Sequence, residues 1–300
     1  MKVKCLGIVA ICLVRAAAAD VEYQTTSLPL PAGATGMSPS AVNQEHQIGL
    51  NVAFPACDGG TSTFTLPYLW SGGLMTALPM GNGFVSGSVL GLNDSGNAVG
   101  FVTDPAGGNF PALWAGGALT LLDHGGMPEG VAASINSQGQ VAGAISTHGG
   151  MNYASHAALW NGTALVDLSN YATTQASAVS LNNNGQVLVS ANSGNSTFFI
   201  HQQGMDRALG PSITAATAIN DLGQVVVGDS NNVNYLWQDG RLTALPSTAG
   251  DLFDVPWAMN DAGDVVGYAE TGDFQNRAIL LGAPPKVQPK WQSSRSNEVD

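Results

Sequence analysis

Charge is what this 300-residue chain has least of: Asp, Glu, Lys and Arg make up 10% of it, against about 25% in an ordinary soluble domain. Positive charge is scarcer still, with nine Lys and Arg against 21 Asp and Glu. Between residues 20 and 283 the basic side chains are Arg207, Arg241 and Arg277, with no lysine. Such a surface repels phosphate backbones and anionic lipid headgroups, which argues against nucleic acid and membrane surfaces as partners. Cysteine is limited to Cys5, Cys12 and Cys57. The apolar run Cys5–Val14 is too short to cross a bilayer as a helix. The chain has no P-loop, no dinucleotide fingerprint, no Gly-x-Ser-x-Gly elbow and no Cys/His dyad, so the common nucleotide and acyl-transfer chemistries have no motif to rest on.

The first nineteen residues have the form of an export segment. Lys2 and Lys4 precede the apolar run, and Ala17-Ala18-Ala19 offers a small-residue cleavage site before Asp20. Removing residues 1–19 takes Lys2, Lys4 and Arg15 away and leaves six bases against 21 acids, a net charge of −15. It also leaves Cys57 alone, which rules out an internal disulfide in the exported chain. The expected location is therefore extracellular or periplasmic. The segment 284–300, with Pro284, Pro285 and Pro289 followed by Ser and Asn, reads as a disordered tail without an anchor.

Most of what remains is one pattern said six times. In Ile219-Asn220-Asp221-Leu222-Gly223-Gln224-Val225, a strand ends, Asn220 caps a tight turn, Gly223 takes the left-handed position and a β-branched strand follows. Equivalent asparagines stand at 43, 93, 136, 182, 220 and 260, at steps of 50, 43, 46, 38 and 40 residues. A period near 43 residues with all-β patterning is the size of one four-stranded propeller blade. Downstream of the turn each copy carries a third strand, marked by Trp70, Trp114, Trp160 and Trp237 and by Phe199-Ile200 in copy four, then a Gly-containing turn and a short closing strand. These tryptophans are expected in the core between blades; Trp257, read as standing just before an inner strand, is set apart from them.

The spacing predicts a six-bladed β-propeller over residues 20–283, with repeat cores near 38–79, 88–123, 131–169, 177–210, 215–246 and 256–281. Copy six stops after Ala278-Ile279-Leu280-Leu281 without a fourth strand. Residues 22–29, where Leu28-Pro29 echoes Leu245-Pro246, are expected to supply it and close the ring. The residue two before each asparagine is Ala41, Gly91, Ser134, Ser180, Ala218 or Ala258, small each time, as inner strands converging on an axis require.

The repeat resembles the extracellular HAF-repeat family. The matching pieces are the Ile-Asn-x-x-Gly-Gln-Val pattern at 135–143 and 219–228 and Ser155-His156-Ala157-Ala158-Leu159-Trp160. The His-Ala pair occurs in copy three alone, with Ala158 in the third place, and His46 stands in copy one where the turn asks for glycine. The resemblance implies export and a repeat architecture, and it implies no activity.

Alternating connections place the second-to-third-strand loops and the links between repeats on one face, opposite the hairpin turns. The longest insertions, Val52–Thr63, Pro79–Gly87, Thr103–Asn109, Asp123–Gly130 and Ser146–Ser155, fall on that face, where repeat scaffolds usually bind. Its richest chemistry is expected between blades two and three, from Asp123, His124 and Glu129 with His148, Tyr153 and His156. Such a group could ligate a transition metal or supply acid and base, yet no His-x-x-x-His or Cys-x-x-Cys spacing supports it. Asp94, Asp221 and Asp261 read as turn formers. The expectation is a monomeric binding scaffold for a protein or glycan, without cofactor. The alternative is a carbohydrate-active hydrolase or lyase using acids such as Asp123 and Glu129.

Overall fold

A computed structural model of the chain describes residues 28–56, 62–147, 154–168, 175–192, 196–246, 251–271 and 276–281. The expected export segment, residues 22–27, His148, Tyr153 and the tail lie outside these.

Every described element is a strand, and the strands form antiparallel meanders in chain order. Five consecutive units have four strands each, and a sixth has three, Asp251–Met259, Val265–Thr271 and Asn276–Leu281. Units three and four share one sheet through a single parallel pairing of Ser155 with Gln175; among the described residues no strand pairing joins the last sheet to the first. The meanders and their period bear out the repeat read from the sequence, and the architecture is of the β-propeller type.

The turn between first and second strands is built as its residues dictate. In unit five the Asn220 Oδ1 accepts from the Leu222 and Gln224 N–H groups at 3.1 and 2.9 Å, while the Gly223 N–H donates to the Asn220 carbonyl at 3.0 Å. Gly223 has φ +69°, and His46 adopts φ +58° at the same place in unit one. That region is open to glycine and strained for other residues.

Each inner strand carries a register shift two to four residues before its asparagine, as between Val89 and Gly91 or Ala216 and Ala218. The extra residue bends the inner strand and brings a carbonyl over its neighbour. At Gly143 a Cβ would lie 2.0 Å from the Val131 oxygen, which is why glycine stands there. The small residues meet the next unit: a Cβ on Gly91 would be 3.2 Å from the Ala133 oxygen, and the Ser134 hydroxyl accepts from the Leu181 N–H at 3.3 Å.

The core lies between units rather than within them. Leu122, at the end of unit two, packs with Ile135, Val141 and Trp160 of unit three. Leu168 and Leu209 close the next two interfaces, and Leu78 packs against Val89 and Trp114 of unit two. Trp114, Trp160 and Trp237 are buried, each contributing roughly 2–3 kcal/mol by leaving water. Their indole N–H groups donate to the Pro79, Asp123 and Leu209 carbonyls of the preceding units, at 2.8, 2.6 and 2.9 Å. The sequence also placed an insertion from Val52 to Thr63. The second strand of unit one instead runs on to Pro55, because Val52 is buried and Phe54 stacks on Phe64 and Tyr68.

Candidate functional site: the turn rim and its groove

The turns between first and second strands emerge on one rim, and there the repeated asparagines do more than cap their own turns. The Nδ2 of Asn43 donates to the carbonyl of Asn93, Asn93 to Asn136, Asn136 to Asn182, Asn182 to Asn220 and Asn220 to Asn260, at 2.8, 3.0, 3.2, 2.8 and 3.1 Å. A belt of side-chain amides thus stitches each unit to the next. The first five of these asparagines are buried, so each bond sits where the loss of a partner is costly.

The residue after the asparagine makes a second, outer belt. The N–H groups of Gln44, Ser137, Asn183 and Asp221 donate to the side-chain oxygens of Asp94, Asn183, Asp221 and Asp261 in the following unit, at 2.7 to 2.9 Å. From the sequence Asp94, Asp221 and Asp261 read as formers of their own bends; their carboxylates instead accept from the preceding unit, while the asparagines cap the bends, as in Asn93 and Asn220.

On this rim a groove of about 530 Å³ opens between units four and five, within the range of small-ligand sites. The turn residues Asn184 and Leu222 form one side, and the third-to-fourth-strand hairpins contribute Gln202, Asp206, Arg207 and Asp239. Arg207 Nη1 donates to Asp239 Oδ1 at 2.6 Å, and its guanidinium lies 4.9 Å from the Trp237 ring centre. Trp237 is held from below by its bond to the Leu209 carbonyl, so stacking and ion pair together fix Arg207 at the groove edge. Asp206 pairs with His201 Nδ1 at 2.8 Å, and Gln202 donates to the Asn184 carbonyl at 3.2 Å. The lining is mostly amide and carboxylate, with Met205 and Leu222 exposed beside it.

The residues expected on the opposite face are tied down locally. Asp123 accepts the Gly125 N–H at 2.9 Å through its carboxylate. His124 meets the Met127 carbonyl through Nδ1 and packs edge-on against Phe110. Glu129 begins the inner strand of unit three, paired with Ser146. His156 Nδ1 lies 2.9 Å from Asp167 Oδ2 across its own unit's outer strands. No group of three or more His, Cys, Asp or Glu side chains suited to a metal is found among the described residues. Elsewhere on this face Asp229 accepts the Asn231 and Val233 N–H groups and the Tyr235 hydroxyl. The Val233 N–H above all holds its carboxyl below the usual range, while burial first and then Asp229 push the Tyr235 phenol up.

Sequence reasoning missed the belt and the groove. The belt had a signal: an asparagine at one turn position in every copy, where Asp or Ser would cap as well but could offer no amide N–H.

No protein-family model matches the chain, and no curated protein matches it by sequence. Among solved structures it is similar to one from work on two prolyl endopeptidases, with a TM-score of 0.55 at 10% identity over 83% of this chain and 42% of that one. It is also similar to an acylaminoacyl peptidase from Pyrococcus horikoshii, with a TM-score of 0.48 at 12% identity over 81% of this chain and 50% of that one. TolB from Acinetobacter baumannii gives 0.47 at 13% identity over 69% and 53%. The chain spans about half the length of these proteins or less. At such identities the likeness concerns the fold.

Proposed function

We propose that this chain is an exported, non-catalytic β-propeller scaffold that binds a glycan in the groove between units four and five. The observation that carries the reading is the lining of that groove. The amides of Asn184, Gln186 and Gln202 offer hydrogen-bond donors and acceptors beside Asp206, Asp221, Asp239 and Arg207, three carboxylates to one guanidinium, a polar lining that suits a hydroxyl-rich ligand. The groove walls are held by the amide belt through Asn182 and Asn220, so little ordering is needed on binding. The export segment and the HAF-like repeat agree with this role. A protein segment is the second reading, favoured by Met205 at 71% and Leu222 at 53% exposure beside the polar lining.

The test is a glycan array followed by titration calorimetry on the full chain, with Gln202→Ala and Asp239→Ala beside it. Binding that weakens at least about tenfold in both variants, one hydrogen bond's worth or more, supports the reading. Failure of every glycan to bind, or equal binding by both variants, overturns it.

The scaffold we propose has six blades, with residues 22–29 as the outer strand of the sixth. Its support is Leu28, which is buried with Ile48, Leu50 and Val52 of unit one. Leu78, Leu122, Leu168 and Leu209 take that place against units two to five, each directly after the outer strand of the preceding unit. Leu28 thus stands where a unit before the first would put its outer strand. Deleting residues 22–29 should lower the melting temperature and broaden the transition; an unchanged melt speaks against the closing strand.

A further inference from the structure

The amide frame of the groove is built twice. In unit four Gln186 Nε2 donates to Gln202 Oε1 at 3.2 Å, and Gln202 Nε2 donates to the Asn184 carbonyl at 3.2 Å. In unit five Gln224 Nε2 donates to Gln238 Oε1 at 3.1 Å, and Gln238 Nε2 donates to the Leu222 carbonyl at 3.5 Å. The seam beneath each frame matches as well. Asn182 reaches the Asn220 carbonyl and Asn220 the Asn260 carbonyl, while the Asn183 and Asp221 N–H groups meet Asp221 and Asp261, each at 2.7 Å. At the places of the two glutamines, units one to three have Gln47 with Ser71, Asn97 with Ala115 and Gln140 with Asn161. Among these five units the pair of long amides therefore belongs to units four and five, which are neighbours. In both, the frame uses one of the two amide hydrogens and one of the two carbonyl lone pairs of the outer glutamine, Gln202 or Gln238.

We infer that the seam between units five and six is a second site for the same class of ligand, a glycan. Gln224 and Gln238 frame it, Leu222 and Asp261 stand on its two sides, and Arg241 supplies its guanidinium. Arg241 pairs with Gln238 as Met205 pairs with Gln202, and Thr243 takes the place of Arg207. Each frame thus has one arginine on its own fourth strand, two residues apart in register. Leu222 belongs to both sites, since it lines the first groove and its carbonyl anchors the second frame. The second site is the weaker one. Arg207 is already held by Trp237 and Asp239, whereas Arg241 is exposed and is ordered only at binding, which costs about tenfold in affinity. The inference rests on the glycan reading of the first groove and goes beyond it by making the scaffold bivalent. Two adjacent sites of one build suit a polymer of repeating sugars, because capture at one raises the effective concentration at the other.

The experiment counts bound sugars by native mass spectrometry of the full chain, titrated with tetrasaccharides of glucose, N-acetylglucosamine, mannose and galacturonic acid. Two copies of one tetrasaccharide per chain are expected, with dissociation constants about tenfold apart. Gln238→Ala should remove the weaker copy and keep the tighter one, and Gln202→Ala should do the reverse. Gln238 and Arg241 are both exposed, so Arg241→Ala gives a second variant that leaves the core alone and should also lose the weaker copy. Thermal melts confirm that each variant is folded. A single bound copy that Gln202→Ala removes overturns the second site and leaves the first groove standing. A second copy that survives both Gln238→Ala and Arg241→Ala lies elsewhere and overturns it too. Binding of no tetrasaccharide at all takes the glycan reading of the first groove down with it.

Discussion

The side-chain amide of Asn182 donates to the main-chain carbonyl of Asn220, 38 residues further along, at 2.8 Å, while its own oxygen accepts the Gln186 N–H at 2.9 Å. One side chain therefore closes its own turn and fastens the next unit. Oδ1 caps the turn's backbone, while Nδ2 serves the neighbour and the Gln186 side chain, so substitution can keep the backbone cap and remove the donor.

Asn182→Asp keeps an oxygen for the turn and places a carboxylate against the Asn220 carbonyl and the Gln186 Oε1 now bonded at 2.7 Å. Loss of the donor at a buried site should destabilise by about 1–3 kcal/mol, and Asn182→Ala, which removes the cap as well, by more. Urea unfolding of both variants checks the order. Equal stability of Asn182→Asp and the parent would mean that the belt contributes nothing.

His46 tests the turn. It holds φ +58° where five other copies place glycine. His46→Gly should stabilise by about 0.5–1 kcal/mol, since relief of strain exceeds the added freedom of the unfolded chain. Gly185→Ala, at φ +71° with no neighbour closer than the Gln140 Oε1 at 3.5 Å, should cost about 1–2 kcal/mol from backbone strain alone. Thermal melts of the two variants should move in opposite directions.

Gly143 is a different kind of glycine. Its φ is ordinary, but a Cβ would sit 2.0 Å from the Val131 oxygen of the bulged inner strand. Gly143→Ala should cost at least about 1–3 kcal/mol through displaced backbone. The measurement is the denaturation midpoint, with amide exchange at Val131–Ile135 as a local report. A neutral substitution would show that the bulge is free to move.

Acid sensitivity has an identifiable contributor in Asp229. Its carboxyl is held low by the N–H groups of Val233 and Asn231, so the folded state takes up the proton less readily than the unfolded chain. The stabilisation is complete above the unfolded value, about 3.9, and is lost as pH falls through the lower folded value. Asp229→Asn lacks that dependence. The melting-temperature gap between parent and variant should be constant near neutrality and narrow below about pH 4. A gap independent of pH would contradict the hydrogen bonds described.

The sequence by itself determined the repeat, the four-strand meander, the left-handed turn position and the buried tryptophans. These follow from contacts within some forty residues: a cap and a glycine close a turn, and alternation sorts a strand's two faces. It also marked the small residue two before each asparagine, because crowding at an axis leaves a mark in every copy. What the tertiary structure decided is the partner of each asparagine. A turn cap reads the same whether or not its amide meets a carbonyl 38 to 50 residues away. The angle at which one sheet packs on the next chooses that partner. The groove between units four and five was decided the same way. Reading loop length pointed to the opposite face, to Asp123, His124, Glu129, His148, Tyr153 and His156; this groove opens beside short hairpins. Its shape comes from the spacing of two units and from Arg207 lying over Trp237, and neither depends on how long any loop is.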